Sequence, residues 1–155
     1  MKHLKLLVII FSTLLMNSCG YKKINSEKLN DFKIDVLEIE GVKKLANKLK
    51  NNVKINSSEK SKFVYDIKIN LISNKETKIK DTAGKTTRYA TKLQADTFIT
   101  NVNTQNVYRK VFTSTNDYNI GSTHSETLNN EKNAVENNIN YISNEIYKYL
   151  KLLNM

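Results

Sequence analysis

Lys62-Phe63-Val64-Tyr65-Asp66-Ile67-Lys68-Ile69-Asn70-Leu71 is the run on which the fold turns. Phe63, Tyr65, Ile67, Ile69 and Leu71 fall on one side of an extended chain, and Asp66, Lys68 and Asn70 on the other. A period of two held this long is the mark of a half-buried β-strand, and it is the clearest strand in the sequence.

Upstream, Phe32, Ile34 and Val36 alternate with Lys33 and Asp35, and the pattern then shifts to Leu37 and Ile39. This reads as a first strand over residues 32–40, the shift marking a bulge or an end. Gly41 breaks the run. Val42, Leu45, Ala46, Leu49 and Val53 then recur at helical spacing, with Lys43, Lys44, Lys48 and Lys50 on the opposite, solvated side. Strand, helix and strand in that order suggest a right-handed parallel unit.

Downstream, residues 75–81 read either as more of the second strand or as an irregular arm. Asp81-Thr82-Ala83-Gly84-Lys85 is a turn, with Gly84 free to take positive φ. A third strand spans Thr86 to Thr100, with Tyr89, Thr91, Leu93, Ala95, Thr97 and Ile99 on one face. Residues 101–106 turn, and a fourth strand runs from Val107 to about Thr115; Val107 and Val111 on one face and Tyr108 and Phe112 on the other leave its buried side open. Asp117 to Ser125 is polar and turn-like. Leu128, Val135, Ile139, Ile142, Ile146, Tyr149 or Leu150, and Leu153 then form one apolar stripe of a terminal helix. Its other face is rich in Asn, a mediocre helix former, so packing must hold it. The order β-α-β-β-β-α predicts an α+β fold, a two-layer α/β sandwich. Its four-stranded sheet is mixed but mostly antiparallel, with two helices on one face.

The chain opens with Met1-Lys2-His3-Leu4-Lys5, an apolar run from Leu6 to Met16, then Asn17-Ser18-Cys19-Gly20. A basic start, a short apolar core and a small residue before a cut site make residues 1–18 a secretory signal peptide. The apolar run falls short of the roughly 20 residues a membrane span needs. Cys19 is the single cysteine. It resembles a lipobox cysteine, which carries a diacylglycerol on sulfur and becomes the acylated first residue of the mature protein. Met16 and Asn17 depart from the residues commonest in that motif, whereas Ser18 and Cys19 fit it. A lone secreted cysteine has no disulfide partner, and lipidation accounts for it. Two or three acyl chains hold a protein stably on a bilayer where one does so only reversibly. Residues 19–30 are then a lipidated polar tether, and residues 31–155 a single domain. Gly20 after the cysteine, where Asp would signal retention in the inner membrane, points by analogy to the outer membrane.

Removing residues 1–18 takes Lys2 and Lys5 from 25 basic residues and nothing from 15 acidic ones, leaving 137 residues and a net charge of +8. That length suffices for one core. The charge suits an anionic partner such as a phosphorylated lipid head group. A lipid-anchored secreted chain seldom meets nucleic acid, and the wealth of Lys, Asn and Ile offers a compositional cause for part of the charge. Half of the excess lies between residues 75 and 92, where Lys75, Lys78, Lys80, Lys85, Arg88 and Lys92 outnumber Glu76 and Asp81. If 75–81 and 86–92 pair around the turn, these side chains gather near one end of the sheet. Lys78, Lys80, Lys85, Arg88 and Lys92 are the candidate anion-binding residues. Arg88 is the sharpest, because a guanidinium grips phosphate with two parallel hydrogen bonds.

Catalytic chemistry is poorly supplied. The mature chain has one histidine, His124, flanked by Ser122 and Ser125, and scattered single carboxylates. Gly84-Lys85-Thr86 lacks the upstream glycine of a phosphate loop. No catalytic residue, metal site or cofactor is expected, and the chain reads as a non-enzyme; a hydrolase built on Ser and His124 ranks last.

Cys19-Gly20-Tyr21 at the mature start, Thr87-Arg88-Tyr89 opening a long strand, the strand pair 91–112, and Asp117-Tyr118-Asn119 leading into a terminal amphipathic helix are together similar to the lipopolysaccharide-assembly lipoprotein family LptE, in its α-proteobacterial form. Asn and Lys replace the Ala and Arg more usual in its helix. The resemblance implies a plug held inside a large outer-membrane β-barrel, LptD. The pair would place lipopolysaccharide in the outer leaflet. It further implies a periplasm-facing protein anchored to the outer membrane by lipid. The other reading is a different outer-membrane lipoprotein, an adaptor or pilotin with an unrelated partner.

Overall fold

The structure is a computed structural model and describes residues 32–55, 57–59 and 61–154. Residues 1–30, expected to hold a signal peptide, the Cys19 anchor and a tether, lie outside the described residues. The period-two run becomes a strand from Val64 to Lys80 (β2), preceded by β1 (Lys33–Gly41) and α1 (Lys43–Lys54). It is followed by β3 (Thr86–Asn101), β4 (Val107–Asn119) and α2 (His124–Leu152). The sheet order is β1-β2-β3-β4, with β1 parallel to β2 and the remaining pairs antiparallel. The expected mixed sheet and element order are both present.

The shift in the first strand is a bulge: the register with β2 slips between Ile34 and Leu37. Leu37 therefore turns into the core while Val36 is left 40% exposed. Gly41 closes β1 at φ +121°, where a Cβ would collide with the Leu71 carbonyl, so only glycine fits. Phe63 falls just short of β2 and is partly exposed, and the buried face starts at Tyr65.

Both helices cover one face of the sheet. Leu49 and Val53 of α1 meet Ile139, Ile142, Ile146 and Leu150 of α2 over Tyr65, Ile67, Ile69, Leu93, Ala95 and Ile99. Each large aliphatic side chain buried there contributes about 1.5–3 kcal/mol. Leu128, placed on the stripe by its spacing, is instead 52% exposed, because it lies in the first turns of α2, ahead of the buried run that begins at Ala134. Thr123 caps α2, its Oγ1 accepting from the Glu126 N–H at 3.1 Å, and the Glu126 carboxylate accepts from the Ser122 N–H at 2.7 Å. β4 buries Phe112, Ser114 and Tyr118, so Val107 and Val111 face outward. It runs on to Asn119, four residues past its expected end, which confines the polar turn to residues 120–123.

Candidate functional site

The pairing of β1 with β2 ends at Gly41 and Leu71, whereas β2 and β3 stay paired out to Lys80 and Thr86. Residues 72–80 are exposed throughout. The segment 75–81, open to two readings in sequence, is thus a regular strand to Lys80; with β3 it forms an arm that runs past β1, flanked by β4 as far as Arg88 opposite Asn119 and two-stranded only at its tip. Its turn is built from Asp81, whose Oδ1 accepts from the Ala83 N–H at 3.0 Å and the Lys85 N–H at 2.8 Å. Gly84 sits at φ +79°. One carboxylate is thereby tied to backbone amides at the basic tip.

The candidate basic residues fall into two groups. Lys78, Lys80 and Lys85 are exposed around the tip, Lys78 at a register slip between Thr77 and Ile79. Arg88 and Lys92 lie further back on β3, opposite Asn119 and Thr115 of β4, and share the sheet face that carries no helix. Four residues of strand separate them by about 13 Å. The Arg88 Nε donates to Asn119 Oδ1 at 2.9 Å, which fixes the guanidinium.

Lys75, counted with this cluster from sequence, belongs elsewhere. It continues the inward series Tyr65, Ile67, Ile69 and Leu71, and its Nζ donates to Glu131 Oε2 of α2 at 2.8 Å. The Tyr118 hydroxyl donates to the same oxygen at 2.9 Å. The ammonium lies 4.6 Å from the ring centre of Tyr89 and 5.4 Å from that of Tyr118. Burial alone would raise the Glu131 carboxyl, but the hydrogen bonds from Lys75 and Tyr118 outweigh it and hold the group below its ordinary value. Burial alone would likewise lower the Lys75 ammonium, and the same network outweighs that effect and raises it. Lys75 therefore fastens the base of the arm to α2.

A second polar junction has no counterpart in the sequence reading. Asn138, 1% exposed, donates from Nδ2 to the Thr91 carbonyl and hydroxyl, both at 2.9 Å. Its Oδ1 accepts from Ser114 Oγ and Asn116 Nδ2, both at 2.7 Å. The signal was its place beside Ile139 inside the apolar stripe, where only a satisfied amide survives burial.

His124 opens α2 with its side chain exposed, and the Ser122 hydroxyl donates to Glu126 at 2.9 Å. No three His, Cys, Asp or Glu side chains gather among the described residues in a way that could hold a metal ion. No described helix is long and apolar enough to cross a membrane.

These features define a class: a two-layer α+β domain with a bare sheet face and a basic β2–β3 tip. No protein-family profile matches the chain, and no curated protein sequence does. Solved structures do share its fold. Rare lipoprotein B from Shewanella oneidensis matches over 79% of this chain and 95% of that one, with a TM-score of 0.60 at 9% identity. Lipoprotein B from Nitrosomonas europaea matches over 79% and 83%, with a TM-score of 0.56 at 10% identity. A minor lipoprotein from Acinetobacter baumannii matches over 82% and 96%, with a TM-score of 0.52 at 12% identity. At such identities the likeness speaks of the fold.

Proposed function

We propose that this chain is a lipid-anchored outer-membrane lipoprotein, acylated at Cys19, that serves as the plug subunit of a lipopolysaccharide translocon. The observation that carries the reading is the fold, which three bacterial lipoproteins share over most of their own length. The lipobox-like Asn17-Ser18-Cys19-Gly20 and the resemblance to the LptE family support it. A plug inside an LptD-type barrel needs a rigid domain and an anchor, and needs no catalytic group. The junctions at Asn138 and Glu131, which lock the long helix to the sheet, suit that task. In this reading the tip presents Lys78, Lys80 and Lys85, and the bare sheet face Arg88 and Lys92, to the phosphates and acidic sugars of lipopolysaccharide through charge-assisted hydrogen bonds.

Extraction of a tagged full-length chain in mild detergent tests the proposal. A stoichiometric large β-barrel is expected to copurify; its absence sinks the translocon reading and leaves an adaptor or pilotin with another partner. Exchange of Cys19 for Ala is expected to leave the precursor unprocessed and abolish fatty-acid labelling. Labelling that persists would remove Cys19 as the anchor.

A further inference from the structure

Among the described residues the unpaired edges of the sheet are blunted everywhere except on β4. The edge of β1 is broken by the bulge between Ile34 and Leu37, and side chains take two of its amides: the Ile34 N–H donates to Ser57 Oγ at 2.9 Å and the Val36 N–H to Asp66 Oδ1 at 3.1 Å. The free half of β2 has register slips at Thr77/Ile79 and Ile79/Lys80, with Lys78 and Lys80 exposed. β4 has no such device. Its thirteen residues run in one register against β3, from Arg88 opposite Asn119 to Thr100 opposite Val107, without bulge or proline. Its two cations are drawn back from the edge, Arg109 onto Asp96 at 3.0 and 2.6 Å and Lys110 over the Tyr149 ring, 5.8 Å from its centre.

Backbone hydrogen bonds at its two ends show which groups face outward. The Asn101 N–H donates to the Asn106 carbonyl and the Ile120 N–H to the Thr87 carbonyl, so even-numbered residues of β4 turn their backbone toward β3. The N–H and C=O groups of the odd-numbered residues from Val107 to Asp117 therefore point to the open edge. At Asn119 the outward carbonyl already accepts from Asn130 Nδ2, at 3.1 Å, which closes the row at that end. Alongside this edge runs a flank of α2 on which Asn130, Asn133, Asn137 and Tyr141 recur at helical spacing. Between flank and edge lie two hollows of about 280 and 470 Å³, the first beside Asp117 and the second beside Thr113 and Thr115.

We infer that β4 and this flank of α2 form a docking channel for an extended segment of the partner protein, which adds a strand to the open edge of the sheet. Outward N–H and C=O groups repeating every two residues are matched by another extended backbone, with about two hydrogen bonds for each odd-numbered residue. The side chains of the segment then alternate. Those opposite the odd-numbered residues lie on the bare face, and those opposite the even-numbered residues enter the hollows beside α2. The amides of Asn133 and Asn137 have no hydrogen-bond partner among the described residues, so Ser, Thr, Asn or Gln side chains fit there. On the bare face Asp117 is the single carboxylate of β4 and has no ion pair among the described residues, so a Lys or Arg of the segment belongs opposite it.

The identity of the partner rests on the proposed function, whereas the pairing itself does not. A plug sits alone in its barrel, so no second copy is at hand to cover the edge. The wall strands of a closed barrel have no free edge either. The segment therefore comes from a loop or terminal extension of the barrel chain that enters the lumen. Such a segment shields a regular edge that would otherwise template aggregation. It also holds the plug in one orientation, because strand pairing fixes both direction and register.

Hydrogen exchange on the full-length chain, read residue by residue, tests the inference. In the purified chain, freed of other proteins, the odd-numbered amides from Val107 to Asp117 should exchange fast. In membranes they should slow about tenfold, while the even-numbered amides, already bonded to β3, change little. Thr113→Pro strips an outward N–H without removing a bond to β3, a setting in which a strand tolerates proline. It should cut recovery of the barrel about tenfold, with Thr113→Ala recovering it like the parent and a thermal melt matching the parent for both. The exchange measurement needs no substitution, so it decides the matter if the proline chain melts early. Odd-numbered amides that stay fast in membranes overturn the inference, as does full recovery of the barrel with a folded Thr113→Pro chain. Slow exchange already in the purified chain overturns it by giving the edge to a second copy, and slowing by added lipopolysaccharide alone overturns it by giving the channel to a glycan. If the parent recovers no barrel while the odd-numbered amides are slow in membranes, the translocon reading falls and the pairing stands, so the two fail separately.

Discussion

Asn138→Leu removes four hydrogen bonds while keeping the number and branching of side-chain heavy atoms, which makes it a clean perturbation of the α2–sheet junction. The parts left behind are Ser114 Oγ, Thr91 Oγ1 and carbonyl, and the Asn116 amide, of which Ser114 and Thr91 are buried. Thr91 Oγ1 retains a bond to the Asn116 carbonyl at 3.3 Å, and Asn116 is partly accessible to water. The main penalty falls on the Ser114 hydroxyl, costing about 1–3 kcal/mol when stranded, while the Thr91 carbonyl and hydroxyl keep their partners in β4 and each lose one further bond of about 1 kcal/mol. Leucine recovers about 1–2 kcal/mol through its apolar surface. The net loss is about 2–3 kcal/mol, a lowering of the melting temperature by roughly 10 °C for a domain of this size. Urea or thermal unfolding reads it directly. A companion variant that adds Ser114→Ala and Thr91→Val removes the two hydroxyls that faced Asn138, while the Thr91 carbonyl keeps its partner in β4, and should restore all but about 1 kcal/mol, because replacing both sides of a hydrogen bond by apolar groups is nearly neutral. An Asn138→Leu chain that melts with the parent, or a companion no more stable than the single variant, refutes the reasoning.

Ile142→Ala, at a side chain with no exposure, should cost about 2–5 kcal/mol; an unchanged melt would mean that α2 is peripheral to the core. The folded chain holds the Glu131 carboxyl below its ordinary 4.5, so the unfolded chain takes up that proton first as acid is added. Its stabilisation is complete above the unfolded value and disappears as pH falls through the folded one; Glu131→Gln should flatten that part of the acid-stability profile, and an identical profile would rule the carboxylate out. Lys78, Lys80 and Arg88 changed together to Gln should weaken lipopolysaccharide binding in a salt-sensitive way with the melt unchanged, and equal affinity at low ionic strength would remove the arm as its site.

How much could be read from the chain depended on whether one period governed a segment. Tyr65 to Leu71 and Leu93 to Ile99 obey a period of two, and Ile139 to Leu150 a helical one, so strands, helix and buried faces all follow directly. β4 was harder because Val107 and Val111 balance Tyr108 and Phe112; its buried side is chosen by α2, a tertiary partner that local pattern cannot weigh. The end of β4 escapes local pattern for a related reason. Asn116, Asp117 and Asn119 look like turn residues, yet pairing with β3 keeps them extended, and α2 amides receive the polar groups that a turn would have satisfied.

The basic cluster shows where counting charge stops being a structural argument. Six cations between residues 75 and 92 look alike in sequence, but the position of each along a strand decides its fate. Lys75 has an odd number on a strand whose odd positions face inward, so it meets Glu131 and the rings of Tyr89 and Tyr118. Arg88 and Lys92 have even numbers on β3 and emerge on the bare face. Lys78 and Lys80 follow register slips that end the strict alternation, and they stay in solvent. Had the inward series from Tyr65 been carried four residues past Leu71, the loss of Lys75 from the cluster would have followed at once. What stopped that extrapolation was the polar composition of residues 73–78, which hides a strand where no hydrophobic core lies beneath it. The arm persists there because β3 supplies backbone partners and because Lys75 and Glu131 tie its base to α2, so its rigidity rests on hydrogen bonds and one ion pair.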